Sequence, residues 1–101
     1  MSKGILDQTL QMAAQASIKA TIDCVTAFSE TDFRREMADI RLPTLIIHGD
    51  DDQTAPMGPT ALATARLVPG AQLKIYPGAP HATCTTHKDQ VNADLLAFLR
   101  N

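Results

Sequence analysis

The stretch Leu42-Pro43-Thr44-Leu45-Ile46-Ile47-His48-Gly49-Asp50-Asp51-Asp52-Gln53-Thr54-Ala55-Pro56 decides the fold. Thr44 to Ile47 runs without apolar/polar alternation, and Pro43 and Gly49 bound it. Such a run fits a strand covered on both faces, as in a parallel sheet. It ends at a glycine followed by three aspartates. A second stretch repeats the design: Leu73 to Tyr76 reads as a strand that breaks into Pro77-Gly78-Ala79-Pro80-His81-Ala82-Thr83. Residues 58–67, between the two, read as a short helix that stops before Pro69-Gly70. Residues 43–76 therefore form a βαβ unit, whose crossover is expected to be right-handed. Strands joined in this way end on the same side of the sheet, so Asp52 and His81 fall at one rim.

Outward from this unit the chain reads as helix. Leu6, Leu10, Ala14, Ile18, Ile22 and Val25 form one stripe over residues 5–28, with a break near Gln15 to Ser17 that can split the segment in two. Ser29-Glu30-Thr31 marks a stop. Thr31 or Asp32 is the expected cap of a further short helix ending near Ile40. At the other end, residues 86–100 read as an amphipathic helix with Thr86 as its cap. Val91, Leu95, Phe98 and Leu99 are its expected buried stripe. The fold class is α/β, divided into a helical part at 1–40 and a βαβα part at 41–101. Two parallel strands do not make an independently stable sheet, so further cover is expected from another chain or another segment.

Composition narrows the function. A chain of 101 residues holds one small domain. Aromatic residues make up only 4%, so the core must rest on aliphatic side chains. A net charge of −2 offers no electrostatic reason to expect nucleic acid or an anionic membrane. No apolar run is long enough to span a bilayer. Residues 1–20 lack a basic start and an apolar signal core, which points to the cytoplasm. Cys24 and Cys84 lie far apart and read as reduced thiols.

A buried carboxylate and an imidazole at one rim are two members of a nucleophile-His-acid triad. The acid accepts a hydrogen bond from one ring nitrogen and fixes the tautomer, and the other nitrogen takes the nucleophile's proton. The pattern leaves a second reading open, in which Asp52 caps the following helix and His81 is a turn residue. The only serines are Ser2, Ser17 and Ser29, read as a chain end, a helix surface and a helix end. None lies on the strained strand-to-helix turn that exposes a reactive hydroxyl. A metal is not expected. An EF-hand loop starting at Asp50 would need Gly and Glu where Ala55 and Ala61 stand. His81, Cys84 and His87 lack a matching fourth ligand. His48, at a strand end, reads as a packing or locally bonded residue, and His87 as solvated.

The strings AFSETDFRREMADIRLPTLIIHGDDDQTAP and LVPGAQLKIYPGAPHATCTTHKDQVNADLLAFLR closely resemble the C-terminal part of the cofactor-free (non-haem) chloroperoxidase and aryl esterase group of α/β-hydrolases. The resemblance extends from about Leu6 onward. It implies lid helices followed by the last two strands and the closing helix of that fold. It implies acyl transfer by a Ser-His-Asp triad on small esters or carboxylic acids, peracid formation with hydrogen peroxide, and no cofactor. It places the acid at Asp52 and the base at His81. Phe28 matches a lid aromatic lining the acyl pocket, and Thr54 and Ala55 match a pocket-lining pair.

The chain departs from that pattern in three ways. Ala82 stands where a glycine follows the histidine, which matters if φ is positive there. Thr54-Ala55 is smaller and more polar than the usual pair, which widens the pocket. No Gly-x-Ser-x-Gly elbow is present, nor the upstream strand that carries the first oxyanion donor. The chain is therefore expected to hold acid and base without a nucleophile, to be inactive alone, and to need a complementing N-terminal half. The alternative is a non-catalytic remnant that self-associates as a homo-oligomer or binds a partner.

Overall fold

Ser2 and Ser17 open the two long N-terminal helices. The computed structural model describes all residues from Met1 to Asn101, with α1 at Lys3–Ala14 and α2 at Ile18–Glu30. Each serine has extended backbone, and its Oγ accepts an N–H three residues on: Ile5 at 3.3 Å and Ala20 at 3.0 Å. The serine thereby satisfies a first-turn donor that no helical carbonyl reaches. The break near Gln15 to Ser17 is thus a true helix boundary, with Ser17 as the cap. Thr31 closes α2, its N–H and hydroxyl both bonded to the Ala27 carbonyl. Neither helix buries a residue. These helices belong to the first of two units, Met1–Phe33, which has no core of its own.

The second unit, Arg34–Asn101, contains the sheet. It begins with α3, Arg34–Ala38. This helix is shorter than the reading to Ile40, although the N–H groups of Asp39 and Ile40 still bond to carbonyls three residues back. Strand β1 (Leu45–Gly49) pairs in parallel with β2 (Gln72–Tyr76), in a register from Leu45 opposite Gln72 to Gly49 opposite Tyr76. Leu45 to His48 are half-buried rather than fully covered. In β2 only Leu73, Ile75 and Tyr76 turn inward, while Gln72 and Lys74 are exposed.

The connection between the strands is helical, as expected, but opens with a π-turn at Gly58–Leu62 before α4 at Ala63–Leu67. The Leu62 N–H bonds to the Met57 carbonyl at 3.0 Å, five residues back. Ala61, Val68, Tyr76 and Ala79 form the small core.

The C-terminal segment corrects the reading in two respects. Helix winding starts earlier, in α5 (Thr83–Thr86), and breaks at His87 before α6 (Lys88–Arg100). Thr86 therefore ends one helix instead of capping the next. Of the expected buried stripe, Val91 and Phe98 are half-buried, whereas Leu95 and Leu99 are 44% and 69% exposed. The face of α6 turned to the sheet instead presents Asp94. Its two carboxylate oxygens receive Lys74 Nζ and the Tyr76 hydroxyl, each at 2.5 Å.

This tie makes stability pH-dependent at both extremes. Hydrogen bonds from Lys74 and Tyr76 outweigh burial and hold the Asp94 carboxyl below its usual range. Its contribution is present above the ordinary carboxylate pKa and fades as pH falls through the lowered folded value. Burial, then the Asp94 hydrogen bond and charge, push the Tyr76 phenol up from 10.0 to about 12. The unfolded phenol ionises first, so stability falls as pH rises from about 10 towards about 12. Thermal melts across pH should show both declines, with Asp94→Asn diminishing the acid-side loss and Tyr76→Phe the alkaline one. Unchanged pH profiles in both variants would contradict this account.

Candidate active site

The end of β1 is pressed against the turn that follows β2. A Cβ on Gly49 would stand 2.0 Å from the Ala79 carbonyl oxygen, so only glycine fits there without a shift. Main-chain bonds cross the same gap, from Asp50 N–H to the Tyr76 carbonyl and from Asp51 N–H to the Ala79 carbonyl, each at 3.2 Å. Asp50 Oδ1 accepts the Gly78 N–H at 2.6 Å, and Gly78 adopts a φ of 70° that favours glycine. The first two aspartates therefore hold the turns together, and the third is left to face inward.

Asp52 is that third residue, with its side chain 3% exposed. Its Oδ1 accepts the N–H groups of Thr54 at 2.9 Å and Ala55 at 2.8 Å. Its Oδ2 lies 2.8 Å from His81 Nδ1. Oδ1 thus bonds within the turn and does not cap the following helix, which begins at Gly58 with Met57 before it, while Oδ2 is the oxygen beside His81. Burial raises the Asp52 carboxyl, but the hydrogen bonds from Ala55, His81 and Thr54, with the His81 charge, outweigh it and hold the group below the usual carboxylate range.

A carboxylate only accepts, so Nδ1 of His81 carries a proton, and in the neutral ring the lone pair is then on Nε2. The His81 side chain is 60% exposed. A buried acid and an exposed base make an arrangement that can take a proton from a hydroxyl brought to Nε2. Ala82 has a φ of −81°, so the alanine in place of glycine is unstrained.

The remaining singled-out residues are placed as follows. Thr54 is exposed and Ala55 half-buried, and both touch the site through their main-chain N–H groups. Phe28 lies on α2 in the first unit and is 72% exposed. Ser2 and Ser17 cap helices, and Ser29 Oγ donates to the Val25 carbonyl at 2.6 Å. His87 Nδ1 lies 2.8 Å from Thr86 Oγ1. Sequence reasoning missed the place of His48. Its local bonding is real, to the Ala55 carbonyl at 2.9 Å, but its Nε2 also stands 3.3 Å from Asp52 Oδ2. The signal was the four-residue spacing of His48 and Asp52 across a glycine turn.

A parallel strand pair brings an acid and an imidazole together at its carboxyl ends, the side of an α/β sheet where sites form. The crystal structure of a bromoperoxidase from Bacillus anthracis matches this chain with a TM-score of 0.95 and 40% identity, over 100% of this chain and 37% of that one. Among sequences, a non-haem haloperoxidase of Rhodococcus erythropolis is 43% identical over 101 residues, covering 100% of this chain and 37% of the relative. A bifunctional esterase/perhydrolase of Acinetobacter calcoaceticus is 45% identical over 83 residues, 82% of this chain and 30% of the relative. No family model matches the sequence.

The chain is the C-terminal part of an α/β-hydrolase, in the group of non-haem haloperoxidases and esterases. It spans about a third of the length of these relatives, 37% of the Rhodococcus protein and 30% of the Acinetobacter one. The similarity does not favour the non-catalytic alternative. No helix is long and apolar enough to cross a membrane.

Gly49→Ala tests the close approach of the two turns. The added methyl meets main chain, so the variant should lose about 1–3 kcal/mol in urea unfolding. Gly58→Ala, where nothing lies within 4 Å of the new Cβ, should cost less. Equal losses at the two positions would show that the approach is not tight.

Proposed function

We propose that this chain supplies the acid and the base of a Ser-His-Asp acyl-transfer enzyme, with the nucleophile carried on a segment outside these 101 residues. The observation that carries the reading is the 2.8 Å contact of His81 Nδ1 with the buried Asp52 carboxylate, which leaves Nε2 as an exposed base. In this reading His81 Nε2 takes the serine proton as the oxygen attacks an ester or acid carbonyl. Asp52 stabilises the imidazolium that forms. His81 then protonates the departing alcohol or hydroxide, leaving an acyl-enzyme. Water or hydrogen peroxide attacks next, with His81 again taking a proton, and releases a carboxylic acid or a peracid. A peracid would oxidise halide away from the enzyme.

The substrates are small esters or carboxylic acids, a reading supported by the names of the relatives. Thr54, Ala55 and Phe28 are the proposed pocket residues, with 1–40 as the lid part and 41–101 as the core part. The complementing partner is an N-terminal half bearing a Gly-x-Ser-x-Gly turn. Support for such a partner comes from the exposed large apolar residues of α2 and α6, among them Ile18, Ile22, Leu96 and Leu99. The free, exposed Cys24 and Cys84 agree with a reducing, cytoplasmic setting.

Mixing the chain with an N-terminal half tests the reading. Hydrolysis of p-nitrophenyl acetate should rise above that of the N-terminal half alone. Asp52→Asn should remove about three to four orders of magnitude of the gained rate, because the amide no longer fixes the His81 tautomer. No gain from the wild-type chain, or a gain indifferent to both Asp52→Asn and His81→Ala, would overturn it.

A further inference from the structure

His48 is largely sheltered, with a side chain 14% exposed, and the acyl-transfer reading gives it no task. Its Nε2 faces two oxygens, the Ala55 carbonyl at 2.9 Å and Asp52 Oδ2 at 3.3 Å. A carbonyl and a carboxylate both only accept, so Nε2 carries a proton; it donates to the Ala55 carbonyl, and the Asp52 Oδ2 lies beside it at 3.3 Å. Ala55 is thereby held at both ends. Its N–H bonds to Asp52 Oδ1 at 2.8 Å and its carbonyl receives His48, which closes a ring of contacts from the strand end through the turn to the carboxylate.

The geometry assigns His48 as a positioning residue for the acid, one that fixes the plane of the Asp52 carboxylate through Oδ2. The inference rests on the Asp52–His81 pair acting as proposed above. Two main-chain N–H groups pin Oδ1, but a carboxylate held at one oxygen can still swing the other. Oδ2 is the oxygen that His81 reads, and His48 Nε2, whose proton goes to the Ala55 carbonyl, is the second nitrogen beside it, at 3.3 Å. Without His48 the Oδ2 position spreads and the bond to His81 Nδ1 is broken part of the time. An imidazole freed from that acceptor populates both neutral tautomers, and only the Nδ1–H form offers Nε2 as a base. His48 touches no reacting atom, so its effect passes entirely through Asp52.

The test uses the full chain labelled with 15N-histidine, at mildly alkaline pH where imidazoles are neutral. Nitrogen–proton spectra should show His81 as the Nδ1–H tautomer, with a downfield proton that Asp52→Asn abolishes. His48 should appear as the Nε2–H tautomer. His48→Leu removes the donor at similar size and should convert His81 to a tautomer mixture and lose the downfield proton. His48→Gln, whose amide N–H can reach the same acceptors, should retain both. A wild-type His81 that is not Nδ1–H would sink the acid–base reading itself. A normal His81 that survives in folded His48→Leu would sink only the role of His48. If His48→Leu fails to fold, an Nδ1–H tautomer at wild-type His48 or loss of the downfield proton in folded His48→Gln overturns the assignment. An Nε2–H tautomer with that signal retained supports it.

Discussion

Burying an ionised carboxylate is unfavourable unless the protein replaces the water it loses. At Asp52 the replacement is thorough: two main-chain N–H groups on one oxygen and two imidazole nitrogens facing the other. The balance lies with the charged form, since the carboxyl is held below its usual range despite burial. Every nearby feature serves this arrangement. Gly49 lets the second turn approach, Asp50 clasps it, and Gly78 gives it the required bend. The carboxylate is therefore a structural centre as well as the partner of His81, and the two sets of contacts use different oxygens.

The rest of the chain is built on less. The unit that carries the site has four buried apolar residues and two strands, and the helices before it bury nothing. Polar ties therefore take a large share of the cohesion, and the Lys74–Asp94–Tyr76 cluster fastens α6 to the sheet where leucine packing was expected. Leu95 and Leu99 remain exposed on that helix. In relatives of which this chain spans 37%, the matching segment belongs to a much longer polypeptide. A sequence that patterns apolar residues for a larger fold gives misleading burial forecasts when the chain stands by itself.

The legibility of the site was uneven for reasons that can be named. Asp52 and His81 stood out because a parallel βαβ unit must bring the ends of both strands to one rim. A helix break near Gln15 to Ser17 was visible as an option, but Ser17 read as a helix-surface residue, and only the structure makes it the cap of α2. The π-turn at 58–62 and the early start at Thr83 were not, because they depend on main-chain geometry after Pro59 and His81 that side-chain periodicity does not encode. His48 was seen as locally bonded, but its second neighbour was hidden, since the turn that folds Asp52 back onto it is a three-dimensional event.

Residue order alone determined the strand–helix–strand plan, the placing of Asp52 and His81 at one rim, and the kinship with non-haem haloperoxidases and esterases. Those follow from periodicity, turn chemistry and spacing, which are local and survive in a linear text. Only the tertiary structure decided which carboxylate oxygen meets His81, that Oδ1 is reserved for the turn, and that a second imidazole attends Oδ2. The physical reason is that hydrogen-bond direction is set by how two turns close on one another, and that closure depends on a contact at Gly49 between segments distant in sequence.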